Sequence, residues 1–347
     1  VLGTGVANTF LVLSIIFFFL IDNNKYKIFT QKFDNFTKVL LLFYLYLLII
    51  SLFNNNEPDI YKYSLLKSLF FFKFLFFFLI IKECLKNNIH FFQQSFKYFL
   101  PIFLLIILDA IFQFFTGYNL VGIELETSRV SGFFGDEWIL GTFVFHLVPF
   151  ILVSILYEIK NLKYKDILII LISILSLFAI YISGERTIFF TSVIYFLSIM
   201  FFIYIKKLYI FLIFILILIS FVLIYPSKRI FNSFNFMTEN DEKIHSTFDV
   251  YKDLYTTSYN MFLEKKFFGQ GLQTFKKKCN NKKYISGRFG CSSHPHNYYF
   301  QVLSENGIVG FIIFCSLILF LLKDAFFLFI KWIRSQADIN NLALVIL

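Results

Sequence analysis

Apolar and polar positions follow one another along this chain in long blocks, not at the short periods of a surface helix or a half-buried strand. Phe, Ile and Leu run almost unbroken through about Val6–Ile21, Val39–Phe53, Leu65–Ile81, Phe99–Phe115, Trp138–Tyr157, Ile167–Ser183, Ile188–Ile205, Leu208–Tyr225 and Ile308–Leu322. Blocks of this length span a hydrocarbon layer, and in lipid an open strand would leave its backbone unpaired. The pattern predicts an all-α, polytopic transmembrane helix bundle without an internal repeat. Residues 1–225 hold spans with short loops, and 226–304 form one long loop. Residues 305–347 hold a last span, a cytoplasmic segment and the start of a further helix.

Within the long loop, Tyr251, Leu254, Tyr255, Ser258, Tyr259 and Phe262 share a helical face, predicting an amphipathic helix over Thr247–Lys266. Ser246 suits its cap and Gly269 its stop. Gly269-Gln270-Gly271 reads as a turn, because neither a preceding strand nor a full glycine fingerprint accompanies it. At the loop's end, polar Ser292–Asn297 runs into apolar sequence. Pro295 suits the first turn of a helix, which places His296 and Asn297 in that turn. Asn297, Gln301, Ser304 and Glu305 then make a polar stripe at the mouth of the last span, fitting an aqueous chamber with an anion site at free helix N–H groups. A surface loop with incidental histidines is the alternative.

The composition agrees with the pattern: 58% hydrophobic residues with 54 Phe among 347 is that of a membrane protein, not a soluble one. The chain starts at Val1 and stops within an apolar run, so a piece of a longer protein is expected, and no cleavable signal peptide is visible. A net charge of +10 raises nucleic acid as a partner. The lysines instead lie between spans: Lys25, Lys27 and Lys32; Lys82, Lys86 and Lys97; Lys160, Lys163 and Lys165; Lys206 and Lys207. Loops of that kind face the cytoplasm. The alternate segments, Thr116–Glu137, Ser183–Thr187 and Pro226–Ser304, then face outward, and Lys323 to Arg334 returns inside.

Against 32 Lys and Arg in total, Arg129, Arg186, Arg229, Arg288 and Arg334 are the only arginines, and four of these fall in outward segments. Arginine is favoured where a planar fork must hold phosphate or carboxylate. Pairing of Arg186 with Glu185, or Arg129 with Glu126, is the plainer reading of each. Asp109 and Gln113, one turn apart in a span, are functional candidates or a hydrogen-bonded pair within the bundle. Cys279 and Cys291 are the two cysteines of the outward loop and are expected to form a disulfide, with two free thiols as the alternative. Cys84 and Cys315 read as structural. Cys291-x-x-His294-x-His296 lacks a fourth metal ligand at conventional spacing, so no metal or other cofactor is expected.

Taken in order, the Asp109/Gln113/Gly117 helix end, Arg129-x-x-Gly132-x-Phe134, the Arg186 loop, Phe268-Gly-Gln-Gly271, His296-Asn297 and Glu305-x-Gly307-x-x-Gly310 resemble the O-antigen ligase and polymerase superfamily over roughly Leu108–Leu322. The resemblance implies an inner-membrane glycosyltransferase whose site faces the periplasm. Its donor is an undecaprenyl diphosphate-linked glycan and its acceptor is lipid A core or another lipid-linked glycan. The implied transfer is metal-independent and inverting. It gives His296 the role of base toward the acceptor hydroxyl and Arg186 that of binding the donor diphosphate. Arg129, Lys252 and Arg288 are secondary diphosphate contacts; Asp109, Gln113, Asn297 and Glu305 support them. Lys252 stands about where the family usually has an arginine, a departure that leaves the two-point fork to Arg229 or Arg288. Alternative classes are a transporter or flippase for a lipid-linked sugar and a non-catalytic scaffold. Sparse charge in the spans, the missing repeat and the long outer loop weigh against a transporter.

Overall fold

The computed structural model describes residues 9, 11–16, 19–20, 32–53, 58–87, 90–125, 129–159, 162–204, 212, 214–216 and 247–335. Part of Val6–Ile21 and most of Leu208–Tyr225, together with Glu126, Arg229 and Ser246, lie outside the described residues, as do the side chains of Cys84, Lys86, Lys163 and Arg334. The described elements are α1 (Asn35–Phe53), α2 (Pro58–Asn87), α3 (His90–Thr116), a 3-10 turn (Gly132–Phe134), α4 (Leu140–Glu158), α5 (Leu162–Ile182), α6 (Arg186–Tyr204), α7 (Thr247–Glu264), α8 (Phe275–Lys278) and α9 (Tyr298–Ser335). Among the described residues no strand forms beyond one isolated bridge, Tyr118 to Glu124. The fold is all-α. Six of these helices are long and apolar enough to cross a membrane, and α6 contributes a shorter apolar stretch, Arg186–Phe201. The chain divides into two compact units, residues 1–87 with 241–327, and residues 88–240 with 328–347.

In the first unit, α1 begins at an acidic cap. Asp34 accepts the Thr37 N–H at 2.9 Å and pairs with Lys82 at 2.8 Å. Partial burial pushes the Asp34 carboxyl up, but Lys82 and Thr37 outweigh it and hold it at about 2. Lys82 is thus a helix residue and not a loop one, because α2 continues to Asn87 past its apolar run. Across the α1–α2 seam, the Ser68 hydroxyl donates to Ser51 at 2.7 Å and Ser51 meets Ser64 at 3.1 Å. Small hydroxyl residues let two helices approach and hydrogen-bond where hydrophobic burial gives no driving force in lipid. Leu42, Leu45, Ile49 and Leu52 are exposed on α1, as a lipid-facing surface requires.

The second unit is a bundle of α3 to α6 around α4. Val144, Val148, Leu152 and Ile155 of α4 are fully buried, packed with Phe103 and Ile107 of α3, Ile169 and Ile180 of α5, and Phe196 of α6. Pro101 and Pro149 sit inside α3 and α4. Neighbouring helices make such interruptions tolerable in a membrane bundle.

Candidate functional site

The polar sequence before the last span folds as a junction between α9 and the loop that precedes α8. Helix α9 is broken at Gly307, which adopts φ 65° and ψ −172°. The break leaves backbone groups without helical partners, and the loop supplies them. Gln270 and Gly271 donate their N–H groups to the carbonyls of Ser304 (3.0 Å) and Glu305 (2.8 Å), and Ile308 N–H donates to Lys266 at 2.8 Å. The approach is close enough to require glycine twice. A Cβ at Gly269 would overlap the Glu305–Asn306 backbone, and one at Gly307 would overlap the Phe267 carbonyl.

Glu305 completes this clamp. Its carboxylate is 2% exposed and accepts the N–H groups of Gln273 (2.9 Å) and Phe275 (3.1 Å), with Gln301 alongside. The expectation of a polar stripe lining a chamber is therefore corrected for Glu305: the carboxylate turns into the protein and holds the loop entering α8. From α1, the Tyr46 hydroxyl donates to the Asn306 carbonyl at 2.6 Å, and its ring fills the space over Gly310.

Helix α7 and the segment up to Asn297 form a small module. The amphipathic face is rotated from the one expected. Leu254, Thr257, Ser258 and Met261 are buried, whereas Tyr251 and Tyr259 are exposed. The reason is polar: the Thr257 hydroxyl accepts the Ser286 N–H at 3.0 Å, and Asn260 donates to the Tyr284 carbonyl at 2.9 Å. Cys279 and Cys291 are disulfide-bonded with Cα atoms 5.0 Å apart, and Cys279 is buried with Phe275 and Tyr284 against α7. Glu264 accepts hydrogen bonds from Lys283, Tyr284 and Gln270.

The histidines lie on the outer side of this module. Helix α9 starts at Tyr298, not at Pro295, because Asn297 takes the cap position: its side-chain oxygen accepts the N–H groups of Tyr299 (2.9 Å) and Phe300 (3.3 Å). His296 thus precedes the helix, exposed, with φ 56° in the left-handed region. A non-glycine residue held there is a functional candidate. Its ring centre lies 4.2 Å from that of His294, the two rings tilted by 51°, and it meets Tyr251 edge-on at 6.1 Å. Partial burial and the neighbouring His296 lower the His294 pKa. Lys252, next to Tyr251, is exposed, and so is Arg288, whose guanidinium lies 5.8 Å from the Phe289 ring.

In the second unit, Asp109 and Gln113 hold loop backbone. Gln113 accepts the N–H groups of Ser131 (3.1 Å) and Gly132 (2.7 Å), and Asp109 accepts that of Leu120 at 2.8 Å. Asn119 joins them by donating to the Gly132 carbonyl at 3.0 Å. These bonds fix the segment that carries Arg129. Arg129 in turn donates from Nε to the Ser183 carbonyl at 3.1 Å and lies 4.6 Å from the Trp138 ring. A cavity of about 170 Å³ beside it is lined by Glu124, Ser131, Asp136 and Trp138.

The turn that Arg129 grips, Ser183-Gly184-Glu185, delivers Arg186 as the first residue of α6. Glu185 does not pair with Arg186. Its carboxylate accepts the Gly141 N–H at 2.7 Å and the Thr142 hydroxyl at 2.5 Å, capping α4. Arg186 is left with a buried Nε that has no hydrogen-bond partner among the described residues. A buried unsatisfied guanidinium nitrogen is costly, and a cation at a helix start is where an anion binds well.

Residues 171–315 match the family described as O-Antigen ligase. The match, over less than half of the chain, supports the O-antigen ligase superfamily that its motifs resemble. No curated protein matches it. The matched stretch runs from within α5 into α9, so it contains Arg186, the module of α7, His296 and the Gly307 break. The match points to a membrane glycosyltransferase-like protein with lipid-linked glycan substrates.

Several working residues escape a reading of the chain alone. Tyr46, far from the motif in sequence, carries no signal there. Glu185 could have been recognised as a cap only by knowing that α4 starts beside it. The pairing of Gly269 with Gly307 had a legible trace: two glycine motifs of unequal spacing on either side of one loop.

Proposed function

We propose that this protein transfers a glycan from undecaprenyl diphosphate to the lipid A core on the periplasmic face of the inner membrane, in lipopolysaccharide biosynthesis. The observation that carries the reading is Arg186. Its immediate acidic neighbour is committed to capping α4, while its own Nε is buried without a hydrogen-bond partner among the described residues. Such a guanidinium suits the departing diphosphate, whose negative charge grows as the glycosidic bond breaks. Arg129 positions the turn, and Lys252 and Arg288, both exposed, supply further positive charge on the long-loop module.

His296 takes the other half of the chemistry. A sugar hydroxyl is a poor nucleophile, and its proton passes to the imidazole as the oxygen attacks the anomeric carbon. The carbon–oxygen bond to the diphosphate breaks on the opposite side, which inverts the configuration. The family resemblance, the exposure of His296 and its left-handed backbone support this role. The long loop 226–304 is the extracytoplasmic part in this reading, since the lysine-bearing short loops belong inside.

Two measurements test it. Membranes holding the protein, given lipid-linked donor and core acceptor, should release undecaprenyl diphosphate as glycan joins the core; no release would reject glycosyl transfer. Lipopolysaccharide from a deletion strain should lose all long chains, whereas a core bearing one repeat would make the protein a polymerase.

A further inference from the structure

Tyr63 and Lys67 stand one turn apart near the start of α2, where its membrane span begins. Lys276 and Lys277 of α8 reach the same ring. The Nζ atoms of Lys67, Lys276 and Lys277 lie 5.4, 5.3 and 5.3 Å from the centre of the Tyr63 ring. No carboxylate among the described residues pairs with any of the three, and Asp59 in the first turn of α2 is exposed. On the same side chain, the Tyr63 hydroxyl is buried and has no hydrogen-bond partner among the described residues. Three like charges drawn to one ring repel each other, and a buried hydroxyl left unpaired needs an account. One anion answers both, taking the charge of the lysines and the hydrogen of the tyrosine.

The depth and surroundings say which anion. Lysine and tyrosine at the end of a span sit at headgroup level. Leu66, Leu69 and Phe70, just further along α2, are exposed apolar side chains of the kind that acyl chains cover. We propose that Tyr63, Lys67, Lys276 and Lys277 bind the phosphate of an anionic phospholipid, with its tails along Leu66 and Phe70. Helix α8 is the segment whose Phe275 N–H is held by Glu305, so the lipid grips the loop that the Gly307 break also holds. The proposal does not depend on glycosyl transfer.

The test is native mass spectrometry of the purified full chain, counting phosphatidylglycerol or phosphatidylcholine retained after stepwise delipidation. The wild type should keep one phosphatidylglycerol in preference to phosphatidylcholine. K276Q/K277Q, which alters two exposed lysines, should weaken that retention roughly tenfold or more, from the contribution of each cation near a lipid surface. Y63F should weaken it less, with circular dichroism unchanged in both. Release of the lipid by millimolar inorganic phosphate would support phosphate as the bound group. Equal retention of both lipids, or undiminished phosphatidylglycerol on K276Q/K277Q, would overturn the site. Binding of inorganic phosphate without any retained phosphatidylglycerol would overturn the lipid as its source.

Discussion

Glu305 and Arg186 are both charged residues at tight backbone features of apolar helices, and the protein treats them in opposite ways. Glu305 is buried and saturated by the N–H groups of Gln273 and Phe275, which makes it part of the fold. Arg186 keeps a buried nitrogen without a hydrogen-bond partner among the described residues, while Glu185, Arg129 and Gln113 around its turn are committed to backbone groups. A charge that the fold consumes reports on stability; a charge that the fold leaves over reports on a ligand. The contrast separates the site residues more sharply than their sequence motifs do, because both lie in motifs of equal apparent strength.

The largest expected effect falls on His296, which is exposed and whose ring meets His294 and Tyr251 among the described residues. His296→Ala should cost about 10²–10⁴-fold in glycan transfer, the usual contribution of a general base, with unfolding unchanged. His294→Ala should cost far less. Near-normal transfer by His296→Ala in membranes would remove its assigned role.

Arg186→Lys comes next. It keeps the charge and loses the fork, so transfer should fall by roughly 10²-fold, a magnitude typical of losing one charge-stabilising donor. Stability should stay within about 0.5 kcal/mol, since no hydrogen-bond partner among the described residues is lost. Glu185→Ala should do the reverse, costing about 1 kcal/mol as a lost cap. If Arg186→Lys instead lowers the unfolding temperature and spares transfer, the residue belongs with Glu305 and the comparison collapses.

For the consumed side, Gly307→Ala adds a Cβ against the Phe267 carbonyl at a positive φ. Backbone strain and overlap together should cost roughly 3 kcal/mol or more. Gly122→Ala is the control: its φ is also positive, but a Cβ there meets nothing within 4 Å, so only about 1 kcal/mol is expected. Equal losses in urea or thermal unfolding would mean that conformation alone, and not the docking of loop 266–271, makes Gly307 necessary.

Much of this was legible from residues. Block hydrophobicity found α1 to α6 and α9, since lipid leaves helices as the only open option, but α2, α3 and α9 run well past their apolar blocks into polar sequence. The Asp109 and Gln113 side chains hold loop N–H groups, where the plainer reading had a hydrogen-bonded pair within the bundle. What failed was local: Pro295 drew the start of α9 three residues early because the stronger cap, Asn297, was counted as a stripe residue. The amphipathic face of α7 was misjudged for a related reason. Thr257 and Asn260 look polar in sequence, yet they face inward to satisfy the backbone of Ser286 and Tyr284.

The smallest expected effect sharpens the comparison at its margin. Glu264, like Glu305, accepts hydrogen bonds from the long-loop module, but its side chain is 30% exposed. Partial burial pushes its carboxyl up, and hydrogen bonds from Lys283 and Gln270 with the charges of Lys283 and Lys278 outweigh that and hold it below its ordinary value. A carboxyl depressed in the folded state binds its proton first in the unfolded chain. Its contribution is therefore complete above the unfolded value near 4.5 and fades as pH falls through the folded one. Because the pair is partly solvated, Glu264→Gln should cost no more than about 1 kcal/mol at pH 7. Thermal unfolding of wild type and Glu264→Gln from pH 7 down to pH 3 reads this directly. The two curves should converge as the medium acidifies; a gap that stays constant with pH would assign the loss to the hydrogen bond from Tyr284 and not to the charge.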